Sequence, residues 1–233
     1  MNDRLRDFKE VTSKALRESY SKKDKINVLF IVILVRAFFQ NYKYVGMFAG
    51  NMVGGLINYF IEAILICFLA QALRSVVVYG NTGKNSISNS ISNFISPVLG
   101  TLFYVYLVEM VIGLVLPPIS FSLYTIIMVL FQFMMSAVIE EVYISGNMGL
   151  AAMKNSAKFV CDNILTYGVF SIIYILVEFY ITFSFTLGLG LGFERIAFIL
   201  IIAVVQLFFY LVRGHLYKYL KNHSYRQRKF MRG

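Results

Sequence analysis

Residues 196–212 read IAFILIIAVVQLFFYLV, an apolar run that contains one glutamine, and Arg213 follows directly. A helix rises 1.5 Å per residue and needs about 20 largely apolar residues to cross the hydrocarbon core of a bilayer. Five more apolar runs precede this one, joined by short connectors. The sequence therefore predicts an all-α integral membrane bundle of six transmembrane helices, at 26–46, 56–78, 97–116, 119–144, 160–187 and 196–212.

The composition is that of a membrane protein rather than a soluble domain. Apolar residues make up 58% of the chain and charged residues 15%, whereas soluble domains average about 45–50% and about 25%. The spans use nearly all of the 233 residues, so we expect no sizeable extramembrane domain. We divide the chain into an interfacial helix at 1–25, a transmembrane domain at 26–212 and a basic tail at 213–233.

The basic residues are distributed asymmetrically along the chain. Nineteen of the 22 Lys and Arg residues lie before the first predicted span, at the end of the second (Arg74), or after the second, fourth or sixth. Of the other three, Arg36 lies within the first span, and Lys43 and Arg195 lie towards the opposite side. Connectors on the cytoplasmic side of membrane proteins carry such an excess. The pattern predicts a multi-pass protein of the plasma membrane with both termini in the cytoplasm.

The two ends of the chain are candidates for membrane-surface contact. In the first 25 residues, one helical face is apolar and the opposite face is basic, which is typical of a helix lying on a bilayer. The basic tail around 226–229 has the character of an anionic-lipid contact. We expect an anionic inner leaflet as the partner of both ends and no nucleic acid. The apolar face comprises Leu5, Phe8, Thr12, Ala15, Leu16 and Tyr20.

A short motif occurs twice in the chain. VVVYGNTG at 76–83 is matched by VYISGNMG at 142–149, an offset of 66 residues. Apolar residues after each motif recur at the spacing of one helical face. Each connector is therefore predicted to be a glycine-asparagine turn followed by an amphipathic helix on the inner membrane surface. The turn residues are Gly80, Asn81 and Gly83, and Gly146, Asn147 and Gly149.

The repeated motif predicts a repeated architecture. The unit consists of a span, a turn, an amphipathic helix and a second span, and it occurs at about 56–116 and 119–187. Both copies run in the same direction, so the repeat is parallel and its axis lies along the membrane normal. Repeat-built transporters tend to bind their substrates at such an axis.

The second copy, EEVYISGNMGLAAMKNSAKFVCDNILTYGVF at 140–170, resembles a segment of known bacterial membrane proteins. It is similar to the YciC-like and DUF975-like families and to the membrane domain attached to some glycerophosphodiester phosphodiesterases. The resemblance covers the two repeats, about half of the chain. It implies a polytopic helical membrane protein. The phosphodiesterase activity does not carry over, because no catalytic domain is present.

Ionisable residues inside membrane spans are costly and are functional candidates by default. Counting about 1.5 Å per residue from the basic side puts Arg36 and Glu109 near the midplane, with Gln132 at similar depth. We expect these three to form a polar centre, serving either substrate or proton coupling or an ion pair that locks the bundle. Glu62 and Glu178 count as outer-side carboxylates that reach towards the membrane surface.

Arg74 and the pair Glu140-Glu141 occupy equivalent places in the two repeats. We expect a salt bridge between them at the inner rim of the bundle, where partial solvation would keep it weak. The acidic pair also resembles the Glu-Glu-x-x-x-Arg motif of intramembrane proteases, but Ser145 stands where the arginine is required. Both histidines lie in or near the tail, and the cysteines are not clustered, so we expect no catalytic site and no metal site.

Gly46, Gly50 and Gly54 form a small-residue series at four-residue spacing. Such a series favours close helix packing or dimerisation in membranes. The alternative is a flexible hairpin between the first two spans.

These features favour a non-enzymatic membrane protein that acts as a transport component or as an accessory subunit of a larger complex. We expect no cofactor and a protein partner, either an ATPase subunit or a second copy. An alternative is the permease subunit of a small type-2 ABC exporter, which resembles this chain in size, span number and N-terminal interfacial helix. A lipid-modifying enzyme is the third class, and no catalytic constellation supports it.

Overall fold

The computed structural model describes residues 2–42, 52–188 and 193–230, and within these ranges the chain is helical without a strand. Five helical stretches are long and apolar enough to cross a membrane, judged by length and composition. This finding confirms the predicted helical membrane class. The five stretches are Ile57–Tyr79, Ile87–Val115, Phe121–Tyr143, Ile164–Ile181 and Glu194–Asn222.

Ten α-helices make up most of the described chain. Helical turns of other types join some of them: π-helical turns at Arg74–Tyr79 and Ile164–Gly168, and 3₁₀ turns at Lys23–Lys25, Ile87–Asn89 and Met135–Ala137. The α-helices are α1 (Asn2–Ser21), α2 (Asn27–Tyr42), α3 (Met52–Leu73), α4 (Ser90–Val115), α5 (Phe121–Met134), α6 (Val138–Tyr143), α7 (Gly149–Asp162), α8 (Val169–Gly188), α9 (Phe193–Asn222) and α10 (Tyr225–Phe230).

The first predicted span corresponds to the shortest of the apolar helices. In α2 the apolar stretch is Asn27–Gln40, about 21 Å long at 1.5 Å per residue, against a hydrocarbon core of about 30 Å. The first predicted span, and with it the total of six, therefore stays a prediction. Gly46 and Gly50 lie outside the described residues and Gly54 falls in α3, so their packing role stays a prediction as well.

Helix α3 is the most enclosed of the membrane-spanning helices. It packs against α2 on one side and α4 on the other, and small buried residues such as Ala63, Cys67 and Ala70 let its neighbours approach closely. By contrast, only 6% of the apolar window of Phe121–Tyr143 is buried, against 61% for Ile57–Tyr79. Helix α5 therefore lies at the periphery of the bundle, and α3 lies in its interior.

Helix α9 continues well beyond the predicted end of its span at Val212. It runs to Asn222, so the first ten residues of the predicted tail are helical. This extension provides a protein surface for α1, which buries Val11 and Ala15 against Leu216 and Leu220.

The apolar face predicted for the first 25 residues is divided between the bundle and the outer surface, and its contact with a bilayer stays a prediction. Ala15 is buried, but Leu5 and Tyr20 are 60% and 71% exposed. The helix is rotated so that Asp7, Val11 and Ala15 face inwards, because the extended α9 contacts that side.

The C-terminal helix α10 folds back onto α1. The Arg228 guanidinium donates to both carboxylate oxygens of Asp7, each at 3.0 Å, and both residues are only 3–4% exposed. A second, exposed pair joins Lys229 to Asp3 at 3.4 Å. Arg228 is thus paired with a carboxylate of the protein, and the predicted lipid contact of the tail stays a prediction.

We expect Asp7→Ala to release α10 from the bundle. Without the carboxylate, Arg228 loses both charge-assisted hydrogen bonds, and a six-residue helix has few other contacts to hold it. Limited trypsin digestion should then cut at 226–229 several-fold faster than in the wild type. Asp3→Ala removes the exposed pair and serves as the control, which should change the cleavage rate little. Equal rates for the two variants would contradict a clasp at Asp7.

Candidate functional site

Two clusters of polar side chains lie inside the apolar bundle, and both include residues of α9. The first, which we name the Arg36 centre, consists of Arg36, Gln40, Glu62 and Tyr210. The second, which we name the Glu140 centre, consists of Glu140, Glu141, Tyr167, Arg213 and Lys221.

In the Arg36 centre, a single carboxylate oxygen accepts three hydrogen bonds. Nε and Nη2 of Arg36 donate to Glu62 Oε1 at 3.0 and 2.7 Å, and Gln40 Nε2 donates to the same oxygen at 3.1 Å. Arg36 Nη1 donates to the Tyr210 hydroxyl at 2.9 Å. The other oxygen, Glu62 Oε2, is buried and has no hydrogen-bond partner among the described residues. Glu62 Oε2 could therefore accept a further hydrogen bond or a proton.

The expected pair between Arg36 and Glu109 is wrong, because Glu62 takes that place. Helix α3 lies between α2 and α4, which separates Arg36 from the half-buried Glu109. Gln132, on α5, is exposed and does not join the centre.

The pairing of Arg36 with Glu62 follows from how α2 and α3 lie beside each other. Lys22 Nζ donates to the carbonyl of Val76 at 3.1 Å, which joins the segment before α2 to the end of the α3 segment. From that contact, Arg36 and Glu62 are each fourteen residues further along antiparallel helices. They therefore meet within the bundle, where Arg36 and Glu62 form an ion pair. Glu62 lies close to the start of the apolar stretch Ile57–Tyr79, and its place on the outer side of a membrane stays a prediction.

Glu178 differs from Glu62 in its surroundings. It is exposed on α8, and its carboxyl interacts with the hydroxyl of Tyr174, one helical turn away. Its predicted place near the outer surface stays a prediction.

The Glu140 centre contains an ion pair that is enclosed on all sides. Arg213 Nη2 donates to Glu140 Oε2 at 3.3 Å, and Arg213 Nε donates to the Tyr167 hydroxyl at 3.1 Å. Glu140 is 1% exposed and Arg213 is 4% exposed. Two charges buried this deeply must satisfy each other, because water cannot reach them.

The neighbouring Glu141 ties the second glycine-asparagine turn to α9. Its Oε1 accepts from Lys221 Nζ at 3.1 Å, and its Oε2 accepts from Asn147 Nδ2 at 2.7 Å. The hydroxyls of Ser145 and Tyr217 lie 2.7 Å apart and add a further link. This end of the bundle is therefore held by polar contacts to α9.

The expected salt bridge of Arg74 with Glu140 and Glu141 is wrong. The guanidinium of Arg74 instead lies over the rings of Tyr79 and Phe94, at 5.6 and 5.8 Å from their centroids. The two carboxylates find their cations on α9, at positions that lie beyond the predicted end of the sixth span. They are also fully buried rather than partly solvated.

Aromatic rings connect the two centres. The guanidinium of Arg213 lies 5.3 Å from the ring centroid of Tyr174, and the Tyr174 ring lies 6.0 Å from that of Tyr210. Tyr210 in turn accepts the hydrogen bond from Arg36. We name this series, from Glu140 to Glu62, the polar column. It runs from the end of the bundle that carries both turns into the apolar interior.

The two turns share one backbone conformation. All four glycines adopt positive φ: 65° at Gly80, 72° at Gly83, 71° at Gly146 and 59° at Gly149. Side chains with a Cβ rarely adopt this region, which explains the glycines. In both turns the asparagine N–H donates to the carbonyl six residues earlier, at 2.9 Å in the first turn and 3.1 Å in the second.

Lysines cap the carbonyls that the first turn leaves open. Lys22 donates to Val76, Lys218 donates to Val77 at 3.0 Å and Lys25 donates to Gly80 at 2.6 Å. Burial lowers the pKa of Lys22, and the nearby charge of Lys218 adds to this effect. The positive ends of three side chains thus stabilise the carboxyl end of the α3 segment.

Gly214 lies in close contact with its neighbours, and no motif in the sequence marks it. A Cβ at this position would collide with the Tyr143 hydroxyl and lie 2.9 Å from Val77 Cγ2. Val77 and Tyr143 are themselves separated by the repeat offset of 66 residues. Equivalent residues of the two turns therefore meet α9 at one glycine.

The site contains charged, phenolic and amide groups, and no group of three or more His, Cys, Asp or Glu that could hold a metal occurs in the described residues. Its groups can hold or move a proton and can exchange ion-pair partners. Comparisons with protein families, with curated proteins and with solved structures found no match to this chain, so its function is argued from its own residues.

Proposed function

We propose that this chain is a non-enzymatic integral membrane protein that serves as a transport component or as an accessory subunit of a plasma-membrane complex. The observation that carries the proposal is the Arg36 centre, where an ion pair, an amide and a phenol lie within an otherwise apolar bundle. Ionisable groups inside membrane-spanning helices are costly to bury and commonly mark substrate paths or proton relays. If the role of these residues were packing alone, apolar side chains would serve it without the cost of desolvating two charges.

Glu62 is the residue to which we assign the coupling step. Its Oε1 holds Arg36, while its buried Oε2 has no partner among the described side chains. A proton taken up at Oε2 neutralises the carboxylate and weakens its hold on Arg36. Since that hold joins α2 to α3, protonation would favour a movement between the two helices. The centre therefore has the chemistry of proton-coupled transport.

The proposed topology places the basic end of the bundle in the cytoplasm. With α2 as a sixth span, both termini lie on that side. The excess of Lys and Arg at this end supports the orientation.

We also propose that the two halves at about 56–116 and 119–187 are parallel repeats. The similar positive φ values of the turn glycines, the equivalent asparagine hydrogen bonds and the shared contact at Gly214 support this relation. The resemblance to YciC-like and DUF975-like proteins stays a prediction.

The alternative is the permease subunit of a small ABC exporter. The observation that favours it is the position of both turns, which meet α9 within the same stretch at 217–221. Asn81 in the first turn and Met148 in the second are exposed. An ATPase subunit could dock on the exposed residues of both turns at once.

Gentle purification from the native membrane distinguishes these assignments. A co-purifying nucleotide-binding subunit, lost on Met148→Asp, would make the chain a permease. A different partner protein would make it an accessory subunit. A chain that emerges alone would be a self-contained carrier. Lipid turnover by the isolated chain, lost on Glu109→Gln, would contradict a non-enzymatic role.

We expect Glu62→Gln to abolish proton movement through the protein. Purified protein is reconstituted in vesicles that contain a pH-sensitive dye, and a potassium diffusion potential drives protons inwards. Vesicles with the wild type should acidify faster than empty vesicles, and vesicles with the variant should not, because an amide does not take up the proton. Glu109→Gln, which alters a carboxyl outside the centre, is the matched control. Unchanged acidification in a folded Glu62→Gln variant would assign the centre to packing.

A further inference from the structure

A groove of about 390 Å³ runs between α1 and α9, outside both polar centres. Its floor is formed by Val204, Leu207, Phe208 and Leu211 of α9, which fall within a candidate membrane span. Leu16 of α1 supplies the facing wall. Val204 and Phe208 are 55% and 48% exposed. The groove is therefore open along a helix face that the bilayer itself would cover.

The polar groups of the groove lie together at one end. Ser19, Tyr20 and Lys23 line it where α1 ends, outside the membrane-spanning stretches. Lys23 Nζ lies 4.8 Å from the Tyr20 ring centroid and 3.5 Å from its hydroxyl. The neighbouring Lys22 and Lys25 instead donate to backbone carbonyls of the first turn.

Lys23 is thus available for an external anion. No salt bridge joins its ammonium to a carboxylate within the described part of the chain. A cation at a membrane boundary, beside a tyrosine and above an apolar channel, matches a molecule with an anionic head and an apolar chain. The volume lies within the range of about 300–1,000 Å³ that ligand sites have.

We propose that this groove binds one anionic phospholipid. Its phosphate contacts the Lys23 ammonium and the Tyr20 hydroxyl, and one acyl chain lies along Val204, Leu207 and Phe208. The head lies at the level of the membrane surface and the chain at the level of the hydrocarbon, as in the surrounding leaflet. The bound lipid contacts both α1 and α9, so it holds the N-terminal helix against the bundle.

Because the lipid binds the folded bundle at a surface formed by two helices, it should raise the unfolding temperature. We would titrate delipidated, full-length protein in detergent with phosphatidylglycerol or with phosphatidylcholine. Unfolding temperature and the number of lipids retained in native mass spectrometry are the two readouts. We expect stabilisation and one retained lipid with phosphatidylglycerol, and much less of both with phosphatidylcholine.

Two variants test the two halves of the site separately. Lys23→Gln should weaken phosphatidylglycerol binding about fivefold, as expected for one lysine near an anionic headgroup. Val204→Trp keeps the charge but fills the channel, and it should prevent retention of the lipid. Lys84→Gln is the matched control, since Lys84 is an exposed lysine on the first turn at the same end of the bundle.

Three results would overturn the assignment. Equal weakening by Lys84→Gln and Lys23→Gln would show diffuse attraction to surface charge. Equal stabilisation by both phospholipids would contradict recognition of an anionic headgroup by Lys23. Normal retention of phosphatidylglycerol in a folded Val204→Trp variant would exclude the apolar channel as the acyl site.

Discussion

Replacing Glu140 by alanine should destabilise the protein by about 3–5 kcal/mol, because the change leaves Arg213 buried without its counter-charge. The pair lies at 3.3 Å with neither side chain more than 5% exposed, and the Tyr167 hydroxyl is the other group that Arg213 contacts by a hydrogen bond. Thermal unfolding in detergent, with the folded fraction from size-exclusion chromatography, measures the effect. We expect most of the variant to elute as aggregate.

The double variant Glu140→Leu with Arg213→Leu tests whether the loss of stability in Glu140→Ala comes from the unpaired charge of Arg213. Removing both charges leaves no ion to desolvate, so much of the lost stability should return. The exposed pair of Asp3 and Lys229 is the control, and Asp3→Ala should cost about 0–1 kcal/mol. If Glu140→Ala unfolds no more readily than Asp3→Ala, the two charges of the Glu140 centre do not depend on each other.

Gly214→Ala should destabilise the bundle by about 1–3 kcal/mol, as overpacking of a filled interior does. The added methyl group meets the Tyr143 hydroxyl and the Val77 side chain, so α9 must move away from both turns at once. The shift would also disturb Lys218, whose ammonium caps the carbonyl of Val77 at 3.0 Å. Unfolding temperature in detergent is the measurement.

Gly113→Ala provides a matched control in the same measurement. A Cβ at Gly113, within α4, meets nothing within 4 Å. Alanine there should be neutral or stabilise by about 0.5–1 kcal/mol, because glycine is the poorer helix former.

A second-site change tests the proposed collision at Gly214 directly. The Tyr143 hydroxyl is buried and has no hydrogen-bond partner within the described part of the chain. Tyr143→Phe should therefore be tolerated alone and should restore part of the stability of Gly214→Ala. An absence of any rescue would mean that Tyr143 does not limit the approach of α9.

The course of the helices could be predicted from the sequence, since it depends on local hydrophobicity. The predicted span at 56–78 corresponds to Ile57–Tyr79, and the one at 119–144 corresponds to Phe121–Tyr143. The four glycines at positive φ lie where the motif placed its turns. These features follow from the composition of short segments and from the backbone freedom of glycine.

The partners of the charged residues could not be predicted in the same way. Ending the sixth span at Val212 assigned Arg213 and Lys221 to a solvated tail, whereas α9 continues and brings both to the acidic pair. Hydropathy also does not reveal how far one helix is shifted along the bundle axis relative to its neighbour. This shift between α2 and α3 places Arg36 beside Glu62. Side-chain pairing depends on the lengths of the helices and on their positions relative to one another, which the sequence of a single helix does not reveal.

The clasp between Asp7 and Arg228 has a consequence for how the protein is made. These residues are 221 positions apart, and the surface that receives α1 is formed by the last part of α9. At about 5–20 residues per second, synthesis of the intervening chain takes roughly 10–45 seconds. During this time α1 is made but lacks its main docking surface, and its exposed Leu5 and Tyr20 are free to contact the membrane or a chaperone. Assembly of the bundle is therefore completed by the first and last helices of the chain, after every membrane span has been synthesised.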